Sequence, residues 1–473
     1  MTKLRYQHGC AARSQVPGDA GSSRSFFYVN MNNGNVNNNY ANNRLRARPV
    51  RRAAPASECQ GGVTVRQLHD AMRAARRKKK PSANQLAFEL TWMDRLIDIE
   101  RNINAGRWSP APATCFVATR PKAREIHAPD FGDRVVHHWL VPQLEAIYEP
   151  TFIHDSYANR KGKGSHAAVR RLRQLVRQTA SGEGGGWYLQ LDVHNFFNSI
   201  HRPTLWRMLK ERLSRAELQP SALRVVHALL RHPVERQGVN HRATAEQRAL
   251  VPPHKRLENA APGCGLPIGN LSSQFFANVY LDALDQFVKH TLKAKRYLRY
   301  VDDFVLVHRD RAVLEQWQQD IEAFLARELG LKLKADIRLR PLSAGIDFLG
   351  YVVYPTHTRV RARVLQHMTE SLSGWARDHQ VKNGFSATPA DLRRVGSIIA
   401  SFDGHLRHAN GNRIRRHLLS RFPWATPLAR PRSFNSASEG LRHLVRFPIA
   451  ASISNAKPAT RRAAIINQRE QVA

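Results

Sequence analysis

RYVDDFVLVHRD, residues 299–310, sets two aspartates side by side between two runs of β-formers. Tyr297 to Tyr300 reads as a strand leading in and Phe304 to Val307 as a strand leading out, with Asp302 and Asp303 at the bend. Adjacent like charges repel, so such a tip calls for a compensating charge, and a divalent cation is the simplest one. A third carboxylate, Asp192, ends the apolar strand YLQLD. Aspartates at strand ends far apart in the chain can converge on Mg²⁺, which takes carboxylate and phosphate oxygens. Two ions held there would clamp an in-line phosphoryl or nucleotidyl transfer, one activating a 3′-hydroxyl and the other holding the leaving pyrophosphate. Taken alone, an Asp-Asp dipeptide is more often a solvated turn. Asp192 and the charge of the whole chain shift that balance.

The 473 residues carry Lys+Arg 74 against Asp+Glu 37, a formal charge of +37. That surplus asks for a polyanionic partner. A membrane surface is the rival to nucleic acid, yet no apolar run approaches the roughly 18–20 residues of a spanning helix. The opening MTKLRYQHGC lacks the apolar core of a signal peptide. Cys10, Cys59, Cys115 and Cys264 form no CxxC, so neither a zinc site nor a disulfide framework is expected, and a reducing cytoplasm fits.

Hydrophobic residues make up 42% of the chain, enough for a sizeable core. Residues 1–60 are Asn- and Arg-rich without apolar periodicity, and they are expected to stay outside it. NQLAFELTWMDRLIDIERNINAG has helical spacing and a Gly stop. Thr114 to His127 is β-like, and helical text runs from about Asp133 to Tyr148. After the basic helix HAAVRRLRQLVRQ and the turn SGEGGG comes WYLQLDVHNFFNSI, a strand running into polar residues. Residues 203–260 read as mostly helical and basic, LSSQFFANVYLDALDQFVKHTL as a long amphipathic helix, and IDFLGYVVY as a strand. From about Arg361 the text is helical and basic. This order of elements gives an α+β protein with a central sheet flanked by helical parts.

Several stretches resemble reverse transcriptases. YVDD at 300–303 is similar to their active-site hairpin, and LDVHNFFNSI at 191–200 to their first catalytic motif. GLPIGNLSSQFFANVYLDALD at 265–285 resembles the motif between those two, and IDFLGYVV at 346–353 the strand after the palm. SYANRKGKGSHAAV resembles a fingers motif, and ASFDGHLRHANGNRIRRHLL at 400–419 the thumb. Order and spacing agree across roughly residues 85–420. The resemblance implies a right-hand polymerase with fingers (61–185), an antiparallel palm sheet with helices (186–355, with an insertion at 203–260), a helical thumb (356–430) and a basic tail (431–473). It implies Asp192, Asp302 and Asp303 as metal carboxylates, with the Val193 backbone as a further ligand, for two Mg²⁺ ions that Mn²⁺ can replace. Phe197 falls where the family places a bulky gate against a ribose 2′-OH; plain core packing is the alternative. Arg120, Lys122 and Arg124 fall where fingers residues grip the incoming triphosphate, with the choice among them open. Ile268 and Gly269 would line the nucleotide site, and Ser273, Gln274 and Tyr300 would face template and primer.

Many reverse transcriptases read Leu-Pro-Gln-Gly and Ser-Pro where this chain reads Leu266-Pro267-Ile268-Gly269 and Ser273-Gln274. That form resembles the enzymes of diversity-generating retroelements, which copy template adenines inaccurately. The family Gln packs on the nascent base pair and hydrogen-bonds near the sugar; Ile268 keeps the apolar contact without those bonds. The resemblance further implies a template RNA, its cDNA and a small basic helical accessory protein as partners. SFFYVNMNNGNVNNNYANNRLRARPV resembles the Asn-rich variable tail of the proteins these elements diversify, so residues 1–50 read either as a translated template repeat or as a polar extension. A group II intron-type or retron-like reverse transcriptase is the nearest alternative; the roughly fifty residues after Leu419 hold no Cys/His cluster of an endonuclease. An inactive basic RNA-binding scaffold is the alternative of another class, and three retained carboxylates weigh against it.

Overall fold

The computed structural model describes residues 25–29, 36–40 and 62–425, apart from 78, 120–121, 182–184, 234–238 and 382–383. The chain divides between Gln60 and Gly61 into two units. In the first, β1 (Ser25–Val29) and β2 (Val36–Tyr40) pair antiparallel. The rest of residues 1–60 and the tail at 431–473 lie outside the described residues.

The second unit opens on α1 (Val65–Arg76), started by a capping box between Thr64 and Gln67. The next helical run breaks at Thr91 into α2 (Ala83–Leu90) and α3 (Trp92–Asn104). The β-like stretch is a hairpin, β3 (Thr114–Ala118) and β4 (Arg124–Ala128). There follow α4 (Phe131–Tyr148), capped by Asp130, then α5 (Ser165–Ala180), β5 (Trp187–Asp192) and the short α6 (Phe196–Ser199). Pro residues in the first turn help start α7 (Arg202–Arg215) and α8 (Pro220–Arg231). Beyond Arg231 the helical expectation for 203–260 fails. Pro233, Pro252 and Pro253 interrupt the text, and only β6 (Asn240–His241), α9 (Ala245–Ala249) and two 3₁₀ turns form among the described residues. β6 joins β3 in parallel.

The centre is a four-stranded antiparallel sheet in the order β7 (Tyr297–Tyr300), β8 (Asp303–His308), β5, β9 (Arg338–Pro341). α10 (Leu271–Gln286) precedes it in the chain and α11 (Arg311–Phe324) lies between β8 and β9. Strand alternation assigns its two faces to two cores. Leu189, Leu191, Tyr297, Phe304 and Leu306 join the core built with α4, α7, α10 and α11. Tyr188, Leu298, Val305 and Val307 join the other, built with α5 and the C-terminal elements. Those elements begin with β10 (Ile346–Phe348), β11 (Tyr351–Val353) and β12 (Thr358–Val360). The predicted single strand IDFLGYVVY is therefore a hairpin, because Leu349 (φ 50°) and Gly350 (φ 88°) form a tight two-residue turn. α12 (Ala362–His379), β13 (Gln380–Val381), β14 (Gly384–Phe385), α13 (Pro389–Leu406) and α14 (Asn412–Arg421) close the described chain. Among the described residues no helix is long and apolar enough to cross a membrane.

One buried ion pair anchors the β7–β8 hairpin. Arg299, fully buried, donates to both carboxylate oxygens of Asp285 at 2.8 and 2.6 Å. The Tyr297 hydroxyl donates to the same carboxylate at 2.7 Å, and a further Arg299 N–H reaches the Val301 carbonyl at 3.0 Å. Val301 has φ 56°, a region β-branched residues rarely enter, at a cost of roughly 1–3 kcal/mol. Removing one partner of such a pair leaves the other charged and unmatched. Arg299→Met or Asp285→Asn should each cost roughly 3–5 kcal/mol, and the double variant clearly less than their sum. Urea midpoints of the four proteins measure this; additive losses would contradict the pair.

Candidate active site

Register does most of the assembly. β5 and β8 pair so that Asp192 lies directly opposite Asp303, with Leu191 opposite Phe304. Directly opposite side chains have Cβ atoms about 5 Å apart, so two ionised carboxylates there repel by roughly 3 kcal/mol at an effective dielectric near 20. Asp303 opens β8, paired with Tyr300; the bend consists of Val301 and Asp302, one residue earlier than the sequence predicts. The Asp302 carbonyl accepts from the Val193 N–H at 3.2 Å, which ties the turn to the end of β5.

The carboxyls register this crowding. Burial, then the charge of Asp192, pushes Asp302 up to about 6. Burial pushes Asp303 up to about 7, against a hydrogen bond from Gln190 and with the charges of Asp192 and Asp302 adding to the rise. Gln190 Nε2 donates to Asp303 Oδ1 at 3.1 Å and to the Asp347 carbonyl at 3.1 Å. Lys334 Nζ lies 2.5 Å from Asp192 Oδ2, while Asp192 Oδ1 is buried without a hydrogen-bond partner. Half-buried acids, one with an orphaned oxygen, fit a divalent cation: its charge would meet the repulsion and its coordination the free lone pairs.

Lys122, Gln190, Asp192, Asp303, Lys334 and Asp347 line one cavity of about 250 Å³. Of the basic residues singled out in the sequence, Lys122 lines this cavity and Arg124, the other described one, does not. Arg124 is exposed on β4, and Arg120 lies outside the described residues. Phe197 is half-buried against the core, edge-on to Phe196 with ring centroids 5.5 Å apart. Its carbonyl accepts from the Leu266 N–H at 2.8 Å, so the segment after β5 holds the loop 266–269. The other side of that loop is fixed by the His127 N–H, which donates to the Ile268 carbonyl at 2.7 Å. Gly269 has φ 126°, and a Cβ there would meet the His127 carbonyl oxygen at 2.9 Å, so the close approach requires glycine.

Gln274 is half-buried in the first turn of α10. Ser273 is buried and lines a small internal cavity with Asp133 and His137, away from the carboxylates' cavity. Tyr300 is half-buried at the end of β7. Sequence reasoning missed Lys334, Gln190 and Asp347. Gln190 carried a signal, an amide inside an apolar strand; Lys334 is one of several bases in KLKADIRLR, and nothing local sets it apart.

Residues 118–353 match the family described as reverse transcriptase (RNA-dependent DNA polymerase). The chain is 23% identical over 283 residues to protein YkfC of Escherichia coli K12, covering 52% of this chain and 68% of YkfC. It is 22% identical over 198 residues to the group II intron-encoded protein LtrA of Lactococcus lactis subsp. cremoris, covering 41% of this chain and 28% of LtrA. Among solved structures it is similar to telomerase of Candida albicans in complex with a TWJ fragment of telomeric RNA, at a TM-score of 0.38 and 12% identity over 68% of this chain and 58% of that one. Apo telomerase of Candida tropicalis gives a TM-score of 0.39 and 11% identity over 53% and 56%. With the family match on residues 118–353 and group II intron-encoded relatives at low identity, the chain carries a reverse transcriptase domain.

Proposed function

We propose that this chain is an RNA-directed DNA polymerase that makes cDNA from the RNA of a diversity-generating retroelement, with errors concentrated at template adenines. The observation that carries the catalytic part is the register that sets Asp192 opposite Asp303, beside the turn bearing Asp302. In this reading residues 61–185 are fingers, 186–355 palm and 356–430 thumb. Asp192, Asp302, Asp303 and the Val193 carbonyl hold two divalent ions, Mg²⁺ or Mn²⁺. Such ions, when bound, lower the cost of ionising a primer 3′-hydroxyl and of releasing pyrophosphate. Lys122 meets the triphosphate across the cavity, joined by whichever of Arg120 and Arg124 reaches it. Lys334 neutralises Asp192 while the site lacks ions and is free to turn to phosphate once they bind. The Phe197 ring crowds a 2′-hydroxyl and so favours dNTPs. Ile268 and Gly269 form the floor under the nascent pair, and Gln274 and Tyr300 border the template and primer path. The net charge of +37 supplies sequence-independent, salt-sensitive affinity for the RNA and its cDNA. A small basic helical accessory protein completes the assembly.

The loop 266–269 supports the adenine-directed reading, since Ile268 offers no side-chain hydrogen bond to hold a correct pair against a wrong one. The similarity to LtrA supports a second reading, an enzyme of the group II intron type. The RNA that copurifies with the chain separates them: a template repeat with a variable copy for the first, an intron for the second.

Asp192→Asn or Asp303→Asn should lower primer extension on an RNA template by at least about 10³-fold, roughly 4 kcal/mol, with the fold intact by circular dichroism. Activity within about tenfold of wild type would remove the carboxylates from the chemistry.

Asp302 and Asp303 titrate above their ordinary value of 3.8, at about 6 and about 7. Between about pH 4 and 7 the folded, ion-free chain therefore holds protons that the unfolded chain has released, and this contribution to stability falls as pH rises. Mg²⁺ or Mn²⁺ should accordingly raise the melting temperature by a few degrees near pH 7.5 and far less near pH 5. The difference should collapse in Asp302→Asn and Asp303→Asn. Equal shifts at both pH values would count against ion binding there.

Ile268→Gln should reduce misincorporation opposite template adenines, read by sequencing extension products. An unchanged error spectrum would take Ile268 out of the account.

A further inference from the structure

A second cluster of ligating side chains lies in the β3–β4 hairpin, apart from the carboxylates. Cys115 and His127 are direct partners across the two strands, and Glu125 lies two residues before His127 on the same face of β4. All three are buried, at 1%, 4% and 6% exposure. Cys115 Sγ is 4.0 Å from His127 Nε2, and that nitrogen is 3.7 Å from Glu125 Oε2. The three ligating atoms all fall within 4.8 Å of one another.

These distances are long for direct bonding. An N–H···O bond spans about 2.7–3.2 Å, so at 3.7 Å Glu125 and His127 attract each other through at most a long, weak one. His127 Nδ1 is buried and unpartnered as well, leaving the imidazole without a strong hydrogen bond at either nitrogen. A shared tetrahedral cation accounts for the spacing. Metal–ligand bonds of about 2.3 Å to sulfur and 2.0–2.2 Å to nitrogen or oxygen separate the ligating atoms by roughly 3.4–3.6 Å. The two edges that meet at His127 need a contraction of a few tenths of an ångström, and the Cys115–Glu125 edge, which is no longer than 4.8 Å, needs at most about 1.2 Å, within reach of a side-chain rotation.

Charge points the same way. A thiolate, a carboxylate and a neutral imidazole around a divalent ion sum to zero, which suits a buried position. Without the ion, the carboxylate is held by the Leu257 N–H at 3.0 Å and by its neighbourhood with His127. Thiolate and imidazole are ligands for zinc, whereas magnesium takes oxygen. We propose that Cys115, Glu125 and His127 bind one zinc ion, separate from the ions of nucleotidyl transfer. Three protein ligands leave one tetrahedral position for water.

The location gives the ion a structural task. Glu125 is bonded to Leu257 of the segment after α9, and the backbone of His127 holds Ile268 and abuts Gly269. Zinc would lock the hairpin to both, and with them the floor of the nucleotide site.

The test uses the full chain, expressed without a histidine tag in zinc-supplemented medium and dialysed against metal-free buffer. Elemental analysis should find about one zinc per chain. Replacement by cobalt should give the near-ultraviolet thiolate-to-cobalt charge-transfer band. Cys115→Ser should abolish that band and lower zinc content at least about tenfold, while Cys264→Ser keeps both. The proposal is overturned by a folded wild-type chain that holds less than about a tenth of an equivalent of zinc and takes up cobalt without the band. It is equally overturned by a Cys115→Ser chain that keeps its zinc. The wild-type measurement decides even where Cys115→Ser fails to fold, and neither readout requires polymerase activity.

Discussion

Asp192 faces Asp303 across a strand pair, and the protein must hold these two acids together where burial makes the charge of Asp303 expensive. The register that causes the repulsion is not free to slip. A one-residue shift of β5 against β8 would turn Leu189 and Leu191 out of one core and Tyr188 out of the other. The two-sided sheet thus imposes the electrostatic conflict, and lysine, glutamine and, in the proposed reading, metal ions relieve it. Lys334 reaches Asp192 and Gln190 reaches Asp303 from the same side as the cavity.

Support for this arrangement comes from beneath the hairpin. The Arg299–Asp285 pair carries no chemistry of its own, yet it holds the Val301 carbonyl and so the turn that presents Asp302. The backbone links from Phe197 to Leu266 and from His127 to Ile268 likewise place the 266–269 loop against the first aspartate's segment and against the β3–β4 hairpin. Three parts of the chain, distant in sequence, are therefore joined at one end of the sheet by main-chain bonds. Substitutions at that end will be felt by all three.

Much of this was legible in the sequence. Alternating apolar residues on either side of YVDD and in YLQLD define half-buried strands, and strand ends are where carboxylates can converge. The α+β class and most helices followed from periodicity. What failed has physical causes. Leu349-Gly350 turned a single predicted strand into a hairpin because a Leu adopts positive φ there, which no propensity announces. The Asp-Asp bend moved by one residue because the Arg299 guanidinium supports Val301 in an unfavourable conformation. Lys334 and the Cys115, Glu125 and His127 cluster stayed hidden because their partners are set by strand pairing rather than by spacing. Glutamate between cysteine and histidine, at intervals of ten and two residues, matches no zinc motif.

The central claim is that ions occupy the space bounded by Asp192, Asp302 and Asp303. Anomalous diffraction from crystals grown with Mn²⁺, a primed RNA template and a non-extendable primer tests it directly. The account predicts manganese peaks within coordination reach of oxygens from Asp192 and from the 302–303 segment, with Lys334 moved off Asp192. A well-ordered complex in which the Lys334–Asp192 contact persists and no anomalous peak lies beside either strand end would contradict it.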